Sequence, residues 1–137
     1  VYDATIEDNV ITNCVYEGVL MTNFNNSKLI KNTIQDSGVF GILVKGSNGS
    51  EINENNLLYT NIDYAKRIPY NGFSITVRSM ANSSVKNNKI NILEGTLARE
   101  RTPIIITENN TTISANNEFA DNELNPATSD VFAVRNE

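Results

Sequence analysis

Apolar and polar positions alternate in short motifs that recur along the chain. Each motif places an aliphatic residue, an Asn three positions later, and a second aliphatic residue two after that. It reads Ile6–Asn9–Ile11, Leu29–Asn32–Ile34, Ile52–Asn55–Leu57 and Val85–Asn88–Ile90, with a looser fifth copy spanning Ile113, Asn116 and Phe119. The first residues of successive copies lie 23, 23, 33 and 28 positions apart (29 − 6, 52 − 29, 85 − 52, 113 − 85). A second motif keeps step with the first: Gly18-Val19-Leu20-Met21-Thr22 and Gly41-Ile42-Leu43-Val44-Lys45, then Gly72-Phe73-Ser74-Ile75-Thr76 and Pro103-Ile104-Ile105-Ile106-Thr107. Val131-Phe132-Ala133-Val134 begins a further copy. Short β-branched segments punctuated by Asn, Gly and Ser read as strands and turns. No helical period extends over a long window.

A unit of some 23 residues cannot bury its apolar side alone, and stacking successive units makes a continuous core. The leucine pattern and helical half of a leucine-rich repeat are missing. A sandwich would show hairpins, whereas one turn recurs here in register. The prediction is an all-β fold, a right-handed single-stranded parallel β-helix of about five coils. It forms one domain over 1–137, with repeat copies near 6–11, 29–34, 52–57, 85–90 and 113–119. The absence of a leader before Val1 and of clear caps predicts a segment of a longer solenoid. The turn Asn residues are expected to adopt the left-handed region, which Asn tolerates. Their amides, from Asn9, Asn32, Asn55, Asn88 and Asn116 (or Asn117), are expected to hydrogen-bond along the axis.

Composition narrows the chemistry. There is no histidine, which excludes Ser-His and Cys-His catalysis and histidine-ligated metal within the chain. Cys14 is the single cysteine, so no intrachain disulfide forms, and it is expected in the core. A net charge of −5 argues against nucleic acid as a partner, since phosphate binding needs a basic face. No run approaches the roughly 20 apolar residues that cross a bilayer, so no membrane insertion is expected.

The recurring Asn turns and Gly strands resemble the parallel β-helix repeat family of the pectate-lyase-like superfamily, from Thr5 to Val134. That superfamily includes pectate lyases, polygalacturonases, alginate epimerases and lyases, and bacteriophage tailspikes. The resemblance implies a polysaccharide partner and an extracellular or virion-surface location. Its nearest implied reading is a phage tailspike or depolymerase segment. An autonomous polysaccharide lyase or glycoside hydrolase and a non-catalytic adhesive module are the alternatives. No catalytic signature of those enzymes is found in the chain, and no cofactor or metal is implied.

Insertions on a solenoid collect on one face and often carry function. Ladder Asn and Gly strand are 9 residues apart in the first two coils (18 − 9, 41 − 32) and 17 in the third (72 − 55). In the fourth, measured to Thr102, the interval is 14 (102 − 88). Inserted loops are therefore predicted at 59–71 and 92–102, side by side at one corner. A glycosidase needs two carboxyl groups about the scissile bond, and Asp63, Glu94 and Glu100 are the catalytic candidates. Tyr64 and Tyr70 suit stacking on sugar rings, and Arg67, Arg99 and Arg101 suit hydroxyls or carboxylates.

Strand alternation also makes a prediction about the outside. With Val19 and Met21 inward, Leu20, Leu43, Ser74, Ile105 and Phe132 form an outward column, four of the five apolar. Such a stripe marks an interface and fits a homo-trimer of parallel β-helices. The next outward column is Thr22, Lys45, Thr76 and Thr107, polar enough to line a groove.

Overall fold

The computed structural model describes residues 1–60, 62–63, 68–69, 73–91, 104–108, 116–125 and 133–136. The chain winds through five coils. The first holds β1 (Thr5–Glu7), β2 (Val10–Thr12) and β3 (Glu17–Asn25). The second holds β4 (Lys28–Ile30), β5 (Thr33–Gln35) and β6 (Phe40–Asn48). In the third, β7 (Glu51–Asn53) and β8 (Asn56–Leu58) are followed by β9 (Ile62–Asp63), β10 (Ile68–Pro69) and β11 (Phe73–Ala81). The fourth has β12 (Ser84–Lys86), β13 (Lys89–Asn91) and β14 (Ile104–Glu108). The fifth has β15 (Glu118–Ala120), β16 (Glu123–Asn125) and β17 (Ala133–Asn136).

Equivalent strands stack into three five-stranded sheets, β1-β4-β7-β12-β15, β2-β5-β8-β13-β16 and β3-β6-β11-β14-β17. Pairing within each is parallel. This is the parallel β-helix expected from the repeat. Short strands suit it because each sheet face is only a few residues wide before the next corner.

The inward side chains form apolar columns. Leu29, Ile52 and Val85 line one wall, Ile34, Leu57 and Ile90 the second, and Ile42, Val44, Ile75 and Val77 the third, all buried in one core cluster. Ile6, Ile11 and Phe119 pack against it at the ends, partly buried.

The corners carry polar ladders inside the coil. Asn9 donates its backbone N–H and its Nδ2 to Asn32 Oδ1 at 3.1 and 3.0 Å. Asn32 donates likewise to Asn55 Oδ1, and Asn55 to Asn88 Oδ1. Asn88 closes the row on Asn122 Oδ1. The second amide hydrogen reaches a strand carbonyl, as from Asn55 Nδ2 to Leu29 O at 2.9 Å. Asn32, Asn55 and Asn88 are fully buried. A buried amide is tolerated because its donors and acceptor are all used.

The fifth rung is therefore Asn122, where the sequence motif pointed to Asn116 or Asn117. Val85 pairs with Phe119 and Ile90 with Leu124, so the fifth copy is Phe119–Asn122–Leu124. Asn117 serves a different corner. There Ser27 N–H donates to Ser50 Oγ, Ser50 N–H to Ser83 Oγ, and Ser83 N–H to Asn117 Oδ1.

The left-handed residue is also displaced from expectation. The rungs have ordinary φ, and the residues just before them turn: Asp8, Lys31, Glu54, Asn87 and Asp121, at φ between +54° and +57°. The rung needs its side chain inward and its N–H along the axis, so the strained turn falls one residue earlier. Cys14 likewise departs from expectation. It is half-buried at a corner, with Sγ–H directed at Thr12 O at 3.8 Å, rather than a core residue.

Two outcomes are expected in chemical denaturation. Asn55→Ala orphans several buried groups and costs about 3 kcal/mol, whereas Asn9→Ala, at the exposed end of the row, costs under about 1 kcal/mol. Glu54→Gly relieves a left-handed backbone and stabilises by about 0.5 kcal/mol after the added chain entropy of Gly is subtracted.

Candidate functional site

The third sheet is the longest face, and it holds the most distinctive surface chemistry. Inward residues alternate with outward ones on β3, β6 and β11, and the strand register fixes which residues stand side by side across the sheet. Leu20 pairs with Leu43, Leu43 with Thr76, Thr76 with Ile105, and Ile105 with Ala133. Two positions on, Thr22 pairs with Lys45, Lys45 with Arg78, Arg78 with Thr107, and Thr107 with Arg135. The register thus places three basic residues in one row across a chain of net charge −5.

Both columns differ from the sequence expectation. Thr76 takes the place assigned to Ser74, and Arg78 the place assigned to Thr76. Ala133 replaces Phe132 opposite Ile105. The outward column is not a continuous apolar stripe among the described residues. Leu20 is 52% exposed, but Leu43 is 3% exposed and Thr76 is polar and 1% exposed. Leu43 points away from the core cluster and is nonetheless buried within the chain.

Thr22 and Lys45 are exposed and Arg78 is half-buried. Arg78 Nε and Thr76 Oγ1 are buried without a hydrogen-bond partner. Buried polar atoms are rarely left in that condition in a folded protein. The first sheet behaves differently. There Lys28 pairs with Glu51 and Lys31 with Glu7, each at 2.8 Å, and Lys86 with Glu118 at 2.9 Å. Lys31 is held above the ordinary lysine value by the hydrogen bond and charge of Glu7. Among the described residues, Lys45 and Arg78 have no such carboxylate.

The residues proposed from the two insertions lie largely outside the described residues: Tyr64, Arg67, Tyr70, Glu94, Arg99, Glu100 and Arg101. Asp63 lies in β9, which pairs antiparallel with β10, Asp63 opposite Ile68 and Ile62 opposite Pro69. Within the first insertion, β9 and β10 thus form a short antiparallel pair. Aligning Gly72 with Gly41 hides the basic row, because the register sets Phe73 opposite Phe40 and Ile75 opposite Ile42. The ladder step from Ile52 to Val85 is 33, and 33 added to Ile42 and Lys45 gives Ile75 and Arg78. The same step of 33 in the ladder and in the third sheet is the signal that the sequence carries.

Residues 1–70 match the family described as Periplasmic copper-binding protein (NosD). The chain belongs to this family. The match covers the three regular corners and both 23-residue steps, so it rests on the β-helix. The NosD match lends no support to a tailspike or a virion. No curated protein and no solved structure matches the chain.

The family description raises the question of copper, and the donor set of this NosD-family chain does not fit it. Copper is held by thiolate, thioether or imidazole donors. The chain has no histidine, one cysteine and two methionines. Met21 and Met80 are both core residues. Among the described residues no three His, Cys, Asp or Glu side chains gather into a metal-binding group.

The burial difference between Leu20 and Leu43 is directly measurable. Leu43→Asp is expected to destabilise by about 3 kcal/mol, and Leu20→Asp by no more than about 0.5 kcal/mol, in urea titrations of the two variants.

Proposed function

We propose that this domain is an extracytoplasmic recognition module that binds an extended polysaccharide along the outer face of its third sheet. The observation that carries the reading is the row Thr22–Lys45–Arg78–Thr107–Arg135, in which Lys45 and Arg78 have no carboxylate partner among the described residues. Coils rise by about 4.8 Å, so the row offers a repeating set of donors to a repeating polymer. Lysine and arginine suit a glycan that bears carboxylates as well as hydroxyls, and threonine adds short hydroxyl contacts.

The periplasmic description of the family supports an extracytoplasmic setting. The inserted loops at 59–71 and 92–102 supply further sugar contacts in this reading, through Tyr64, Tyr70, Arg67, Arg99 and Arg101. The proposal is for binding. Cleavage by Asp63, Glu94 or Glu100 is a separate activity, read by release of reducing ends or unsaturated products.

Titration of the protein with uronate-bearing oligosaccharides at low ionic strength tests the reading. Binding is expected, with Arg78→Ala weakening it about tenfold and added salt weakening it further. Undiminished binding by a folded Arg78→Ala/Lys45→Ala double variant would place the ligand elsewhere and sink the proposal.

A further inference from the structure

We infer that these 137 residues hold no tight copper site, and that a protein carrying this domain draws its copper ligands, where it has them, from outside it. The ground is the chemistry and placement of the soft donors. Copper(I) selects thiolate and thioether sulfur, and copper(II) selects imidazole and other nitrogen donors. Histidine is absent from the sequence, which leaves Cys14, Met21 and Met80.

The two thioethers are used in packing. Met21 faces the core on β3 and pairs in register with Val44, which pairs with Val77. It fills the position of an aliphatic side chain and is 5% exposed. Met80 faces the core on β11, opposite Ser47, in the column that begins with the fully buried Phe24. It is 2% exposed. Two coils separate the methionines, about 10 Å along the axis, and they occupy different columns. Neither sulfur can reach the other without dismantling the core. Unbranched Met is a common filler of irregular core space, and that role accounts for both.

Cys14 is the one soft donor near solvent. It stands at a corner in the first coil, with Sγ–H directed at the carbonyl of Thr12. A single thiol supplies one ligand, where a tight site needs several converging on one point. The family match is thus carried by the solenoid repeat, while the property its description names has no donor set here.

The test uses the full chain. Copper(I) is titrated into the reduced protein against a chromophoric copper(I) chelator, and copper(II) is followed by metal analysis after dialysis. Copper retention at background, and an unfolding temperature that does not rise with either ion, is the expected result. One equivalent of copper retained against the chelator, or a copper-dependent rise in Tm, would overturn the inference. Loss of that equivalent in Cys14→Ser would trace it to a site on the lone thiol. Its persistence would trace it to oxygen and nitrogen donors. Glycan binding is measured on the same preparation, so failure of one proposal leaves the other readable.

Discussion

The structure depends on a buried row of side-chain amides that repeats the hydrogen bonds of the backbone. Asn32, Asn55 and Asn88 sit at an inside corner where the chain leaves one sheet and enters the next. At that point the strand ladders end, and the backbone N–H of the corner residue would be unpaired. The Asn Oδ1 of the next coil accepts it, and the Nδ2 groups link the amides and cap strand carbonyls. A serine row ending in Asn117 does the same at a second corner. Because buried polar groups are costly when unpaired, each coil fits only when its neighbour is in the right register.

That register then governs the whole surface. A coil that gains residues at one corner must still present its rungs and its strands in step. The third coil does so by placing its extra length between β8 and β11, and the fourth by gaining residues both before and after β14, so the three walls stay continuous. The step of 33 that the ladder shows between Ile52 and Val85 is the same step that brings Thr76 opposite Leu43 and Arg78 opposite Lys45. The basic row is thus a consequence of ladder geometry as much as of local sequence. Among the described residues Lys45 and Arg78 show no such ion pair, unlike Lys28, Lys31 and Lys86, which are paired with glutamates on neighbouring coils.

The family assignment and the donor chemistry point to different levels of the molecule. Membership in the NosD family is carried by residues 1–70, which comprise the most regular coils. A β-helix hosts many functions, and function on it is argued from the side chains that leave the repeat. In the reading proposed for this chain those are Lys45 and Arg78, which have no carboxylate partner among the described residues, and no metal-binding group of His, Cys, Asp or Glu is found among the described residues.

Much of this was determined by the sequence alone. The spacing of Ile6, Leu29, Ile52 and Val85, with a looser fifth copy after them, was enough for the coil count and the parallel stacking, and the Asn positions were enough for the ladder through Asn88. An apolar residue, an Asn and an apolar residue at fixed offsets leave few ways to bury both the hydrocarbon and the amide. Tertiary structure decided the rest. It placed Asn122 on the fifth rung, since pairing with Val85 and Ile90 outweighs a looser local motif at Asn116. It moved the left-handed turn to Lys31 and Glu54, because a rung amide must point inward. It buried Leu43 while leaving Leu20 open, a distinction that strand alternation cannot make. It also set Arg78 beside Lys45, two residues separated by 33 positions and joined only by the register that the buried amides impose.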